Sequence, residues 1–332
     1  MTDDQRASGD PPTDEAVEDH PPRTDWRPTG VDQQTSLWAT LRRTFAEFKE
    51  DDLTDWSAAL TYYGLLSLFP ALLAVSSLIG LFADPQTITD VILEIAPESA
   101  ADTLQGPIDS ITSNEGAAGF ALVVGLAGAL WGASGYVAAF GRASNVIYET
   151  REGRPFWKLR PIQLLITLVL VVLMVVVVGA VVLTGPIVEA IAGPLGIGDT
   201  AVTVWDYAKW PVLALMVVVM LSILYWSTPN VRQRGWRAVV PGVVVSLVIW
   251  AVASAAFAFY VANFGAYDRT YGSLGGVIVL LVWMWISNLA LLLGAELNAE
   301  RERSRQFAEE VPGADVEIQL EPRDEPKRPQ TS

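Results

Sequence analysis

Of the 22 Lys and Arg residues in this chain, all but Lys209 and Arg269 lie in the tails or in alternate gaps between six long uncharged stretches. The stretches run 56–83, 117–141, 162–185, 210–227, 238–264 and 270–295, and none contains Asp, Glu, Lys, Arg or His. A bilayer core of about 30 Å needs about 20 apolar residues as helix, so each stretch predicts a transmembrane span. Ile162–Leu183, dominated by Leu, Ile and Val, is the clearest of them. The expected fold is all-α: a polytopic membrane protein with six transmembrane helices.

The gaps orient it. The stretch from Asp84 to Gly116 holds seven acids and no base, whereas the next gap carries Arg142, Arg151, Arg154, Lys158 and Arg160. Then come Lys209 alone, the trio Arg232, Arg234 and Arg237, Arg269 alone, and finally Arg301, Arg303 and Arg305. Basic residues near span ends stay cytoplasmic, so both termini are expected inside and the acidic 84–116 loop outside. The acidic, Pro-rich N-terminus has neither a basic n-region nor an apolar h-region, so no cleaved leader is expected. The localisation that follows is the cytoplasmic membrane.

The net charge of −15 sits mostly in the tails and the outer loop, and Lys is scarce beside Arg. Acid-rich, Lys-poor aqueous segments suit a salt-saturated cytoplasm, so a halophilic host is expected. Residues 1–35 and 304–332 are charged and poor in large apolar groups, and read as disordered tails around a membrane domain at 36–303. Leu37, Trp38, Leu41, Phe45 and Phe48 recur at helical spacing among charges, as in an amphipathic helix on the inner surface. Ile88, Val91, Ile92 and Ile95, then Leu104, Ile108 and Ile111, predict two short helices on the outer face. The chain has no Cys, which excludes disulfides and thiolate metal sites.

Four segments resemble the YihY/BrkB family of inner-membrane proteins. They are Ala58–Pro70; Trp131–Ser134 through Asn145 and Glu152 to Arg160; Tyr225, Pro229, Asn230, Trp236, Pro241, Gly242 and Trp250; and Tyr260 through Tyr271–Gly275 and Trp283 to Gly294–Ala299. The resemblance covers about residues 36–303; one departure is Ser144, where the family usually has Leu. It implies a six-span protein of the cytoplasmic membrane. Members were long labelled ribonuclease BN, a label regarded as mistaken, and lipid movement across the membrane has been proposed for some.

A hydrolytic nuclease needs metal-binding carboxylates or His in a cleft. The one histidine, His20, lies in the N-terminal tail, and Glu296 and Glu300 beside Arg301 and Arg303 read as a solvated helix end. No enzymatic activity, cofactor, metal or nucleic-acid partner is expected. No span holds an ionisable group, which argues against a proton pump. An amphipathic lipid, whose chains stay in the bilayer while the headgroup crosses, fits better.

A candidate pathway or gate comprises Tyr62, Tyr63, Ser67 and Pro70 in the first span with Tyr271, Gly272 and Ser273 opening the sixth. Pro70 removes a backbone hydrogen bond, and Ser67 is placed to satisfy a freed carbonyl; a purely structural kink is the competing reading. Asn145, Arg154, Lys158 and Arg160 form a candidate site for an anionic headgroup, against the simpler reading that they set topology. Gly128 and Gly132 make a GxxxG, read as internal packing or else as the dimer seam of a homo-oligomer or a gate. Asn263 and Asn288 are expected to hydrogen-bond between helices, and Trp236, Trp250, Trp283 and Trp285 to anchor or pack. The function expected is transport-type, moving lipid or another amphiphile between leaflets with membrane lipids as partners. The alternative is a non-catalytic scaffold or envelope-integrity protein.

Overall fold

A computed structural model describes residues 35–82, 115–182, 199–264 and 274–326. The two outer amphipathic stripes and the tail segments 1–34 and 327–332 lie outside the described residues. Among the described residues seven α-helices follow in order: α1 Leu37–Glu50, α2 Leu53–Phe82, α3 Glu115–Ile147, α4 Phe156–Val182, α5 Asp199–Ser227, α6 Val240–Phe264 and α7 Leu274–Ala308. A single 3-10 turn, Trp236–Ala238, precedes α6. The helices from α2 onward hold 25 to 35 residues. At 1.5 Å per residue they are about 38–53 Å long, so their ends project beyond a bilayer core of about 30 Å. By length and hydropathy α4, α5, α6 and α7 can each cross a membrane; α2 and α3 are as long and carry the first two uncharged stretches. The chain is an all-α membrane protein.

Successive long helices run in opposite directions, so the start of α2, the end of α3, the start of α4, the end of α5, the start of α6 and the end of α7 share one end of the bundle. That charged end also holds α1. Helix α2 packs between α3 and α7, α7 lies along α6, and α3, α4, α5 and α6 follow side by side. Helices α6 and α7 approach closely. A Cβ on Gly242 would overlap the carbonyl oxygen of Gly294, and one on Gly294 would overlap that of Gly242. Asn298 uses this proximity, accepting from the Gly242 amide and donating to the Val239 carbonyl, both at 2.8 Å. It thus satisfies an amide that the start of α6 leaves unpaired.

The exterior is apolar where lipid would touch it. Leu165, Leu168, Val172 and Met174 on α4, and Val248, Val252 and Phe259 on α6, are exposed. A continuous apolar sleeve of this kind is what hydrocarbon solvates. Helix α1 presents the same logic at the bilayer surface. Ser36 caps it, accepting from the Ala39 amide at 3.2 Å. Thr40, Arg43 and Thr44 are buried against the protein, while Leu37, Trp38, Leu41 and Phe45 face outward. In water that arrangement would be inverted; on a membrane surface it buries both faces.

Three sequence expectations need correction. Residues 304–326 are not a disordered tail: α7 continues to Ala308, and a strap at 309–326 lies across the charged end. The strap turns at Gly313 (φ 83°) and pairs Pro322 with Val231 in an isolated bridge. Its local composition is polar, but its partners are the exposed carbonyls of other segments, which composition does not reveal. Second, internal packing does not account for Gly128, because no described residue would touch a Cβ placed there. Third, Asn263 donates to the Phe259 carbonyl of its own helix at 2.8 Å rather than to a neighbour.

Candidate functional site

On α2, Tyr62 is exposed and Tyr63 half-buried, their rings edge to face at 5.4 Å. The Arg142 guanidinium lies 5.7 Å from the centre of the Tyr63 ring, which also rests against Gly135. Tyr63 therefore joins the span to the charged end of α3. Ser67 donates to the Gly64 carbonyl at 2.7 Å. The carbonyl freed by Pro70 belongs to Leu66, four residues back, so Ser67 does not play the part expected of it. Pro70 falls within the unbroken α2; Tyr271, Gly272 and Ser273 lie outside the described residues.

Deeper in the bundle, three helices meet through polar groups. Asn288 on α7 donates to Thr61 of α2 at 3.1 Å and accepts from the Tyr136 hydroxyl of α3 at 2.8 Å. Asn288 thus bonds between helices as the sequence reading expects. Trp250 and Trp283 donate to Ser287 and Ser254 across the α6–α7 seam.

Asn145 and Arg154 come together in a buried knot. Both oxygens of Glu152 accept from Arg154, at 2.8 and 2.7 Å, and Asn145 donates to the same carboxylate at 3.1 Å. Burial pushes the Glu152 carboxyl up, but the hydrogen bonds and charge of Arg154 and the Asn145 amide outweigh it and hold it below its ordinary range. Asn145 also accepts from the Asn230 amide at 2.7 Å, and Asn230 donates to the carbonyls of Arg151 and Asp324. Lys158 joins through the strap, reaching both oxygens of Asp324 at 2.6 Å. Arg160 stands apart, 4.3 Å over the Trp131 ring and bonded to Gln163.

The knot also completes the end of α5. Of the carbonyls that a helix C-terminus exposes, Trp226 and Ser227 accept from Arg323 and Thr228 accepts from Arg154 at 2.7 Å. Two guanidiniums at the negative end of the helix dipole are favourable on charge grounds as well. Beside this end, between α3, α4 and α5, lies a cavity of about 170 Å³. Its lining includes the polar Arg142, Glu152, Arg154 and Gln163 and the apolar Val137, Ile162 and Ile166.

A second cluster, at the seam of α1 and α7, is not among the candidates read from sequence. Glu300 is fully buried; Arg43 donates to one of its oxygens at 2.7 Å and Arg303 to the other at 2.8 Å. Arg303 also reaches Glu149 at 2.9 Å, and Glu149 accepts from the strap amide of Ile318. Thr40 and Ser304 bond at 2.8 Å across the same seam. Glu296, one turn before Glu300, is 1 % exposed. The solvated helix end expected here is instead an interior. Gly294, Ala295 and Ala299 around it are the signal: small residues mark a face that packs closely.

Residues 44–318 match the family model for virulence factor BrkB. The putative ribonuclease-like protein YfkH of Bacillus subtilis (strain 168) is 32% identical over 273 residues, spanning 82% of this chain and 98% of that protein. A UPF0761 membrane protein of Aeromonas salmonicida (strain A449) is 26% identical over 270 residues, 77% of this chain and 86% of that one. A UPF0761 membrane protein of Tolumonas auensis is 37% identical over a shorter stretch of 79 residues. No solved structure matches the chain.

Proposed function

The chain belongs to the virulence factor BrkB family, and on that premise we propose that it is a six-span protein of the cytoplasmic membrane that moves an amphiphile between leaflets. Both termini are inside, because the basic gaps gather at the charged end. The observation that carries the reading is the cavity between α3, α4 and α5, lined by charged and polar groups together with apolar side chains. Leu165 and Leu168, on the same helix as the cavity's Ile162 and Ile166, are exposed, so a headgroup seated by Arg142 and Gln163 keeps its chains in the bilayer. Arg154 shapes this seat while held by Glu152 and Thr228. Asn145 holds Glu152, Lys158 holds the strap through Asp324, and Arg160 holds Gln163. Tyr62, Tyr63 and Ser67 of α2 belong to the onward route.

Ribonuclease chemistry is not carried over from the relative's name. Glu149, Glu152 and Glu300 are engaged by Arg303, Arg154 and Arg43, an arrangement suited to holding segments together rather than to activating water. The reading is tested by leaflet exchange of a labelled phospholipid in proteoliposomes at high salt. The wild-type protein is expected to exceed protein-free vesicles, and the double substitution Arg142→Gln with Gln163→Leu to lower the rate several-fold while the protein remains folded. Wild-type rates equal to empty vesicles, for neutral and anionic headgroups alike, would sink the proposal and favour a scaffold.

A further inference from the structure

Glu296 stands on α7 one residue past the last uncharged stretch and is almost wholly buried. Its Oε2 is enclosed and has no hydrogen-bond partner among the described residues. The neighbouring Glu300 has both oxygens occupied by guanidiniums, and Arg303 is further shared with Glu149. The elements packed around Glu296 bring other titratable groups to it. Helix α1 and its turn bring Arg43, Glu47 and Asp51, the end of α3 brings Tyr148 and Glu149, and α7 itself brings Glu300, Glu302 and Arg303. At the seam five carboxyls, Glu47, Asp51, Glu149, Glu296 and Glu300, meet two guanidiniums, Arg43 and Arg303.

A buried carboxylate that lacks a donor is far less stable than the neutral acid. Among the described residues no group of three acids or imidazoles is arranged to hold a metal ion. The geometry points to a proton-binding site at Glu296, its enclosed oxygen carrying a proton taken from, and returned to, the aqueous phase at the charged end. Glu47, half-buried on the same seam, is pushed up to about 7, mainly by burial and further by Glu300, Glu50 and Glu149, with Arg303 opposing. The charge of the seam therefore responds near neutral pH. Loss of the Glu296 proton sets a new negative charge against Glu300, Asp51 and Glu47 and loosens α1 from α7. The inference goes beyond leaflet exchange, since it supplies a group on which a proton gradient can act.

Infrared difference spectroscopy of the full-length protein in nanodiscs, scanned across pH, tests it. The wild-type protein is expected to show a buried carboxylic-acid carbonyl absorption at neutral pH. Glu47→Gln, which removes the other carboxyl that holds a proton near neutral pH, retains that absorption, and adding Glu296→Gln to it removes the band. A Glu47→Gln spectrum without a protonated carboxyl at neutral pH overturns the proposal, as does a folded Glu47→Gln/Glu296→Gln protein that keeps the band. Should Glu296→Gln fail to fold, Glu296→Asp is expected to shift the band, and an unshifted band overturns the proposal. Lipid exchange enters neither readout, so failure here leaves the transport reading standing, and the reverse holds too.

Discussion

At the residue scale, the charged end is governed by which carboxyls have donors. Glu152 and Glu300 are each met by at least one guanidinium and are settled. Glu47 is not, and its raised value has a stability consequence. Between about 4.5, its ordinary value, and about 7 the folded protein holds a proton that the unfolded chain has released. Stability therefore falls as pH rises through that window, and the cost is fully present above it. Glu47→Gln removes the titrating group. The variant is expected to be more stable than wild type at mildly alkaline pH, by roughly 1–2 kcal/mol once partial solvent screening is allowed for. The gain should vanish at acidic pH. Thermal unfolding in detergent at the two pH values checks this; an equal shift at both would contradict it.

Among the elements, the strap is the one whose role is least apparent from its own residues. Arg323 donates to carbonyls of Trp226, Ser227 and Val231, while its amide donates to Asn230. Burial holds its guanidinium below the ordinary range, and the carbonyls it reaches would otherwise be left without donors. Arg323→Ala is expected to destabilise the protein by about 1–3 kcal/mol, the usual cost of stranding buried acceptors. It should also render 315–326 susceptible to limited proteolysis, and an unchanged midpoint with an intact strap would show that the capping is dispensable. The Lys158–Asp324 bond contributes less at high salt, because both side chains are partly exposed. The α6–α7 pair is different in kind: its contact rests on Gly242 and Gly294, where backbones meet directly.

At the level of the whole molecule, the bundle carries a ruler for the bilayer. Tyr207 and Trp226 are both exposed on α5, and their separation of 19 positions corresponds to about 28 Å of helix. Amphipathic aromatics settle at the two interfaces, so this spacing matches a hydrocarbon core of about 30 Å and puts Lys209 at the headgroups opposite the charged end. Trp157 and Trp236 stand exposed at the charged end. Since the chain has no cysteine, single substitutions can report the orientation. Arg232→Cys is expected to react with a membrane-impermeant maleimide only in inverted vesicles, and Glu98→Cys, in the acidic stretch, only in intact cells. The opposite pattern would reverse the proposed topology.

How much of this was legible beforehand follows from the range of the forces involved. Membrane residence, helix positions and the shared charged end were readable because the cost of placing charge in hydrocarbon acts on each stretch separately. The outward apolar face of α1 and the interhelical role of Asn288 were readable for the same reason: periodicity and a lone polar group in a span are local facts. The roles of Glu296 and Glu300 were not. A Glu-x-x-x-Glu beside two Arg reads alike on a solvated helix and in an interior, and only the arrival of Arg43, 257 positions away, decides between them. The strap escaped for a parallel reason: its polar residues pair with carbonyls at the end of α5, and backbone acceptors leave no mark in composition. Local pattern decided the solvent each segment lives in. Tertiary structure alone decided which charges are paired, because pairing depends on long-range contacts that no single stretch encodes.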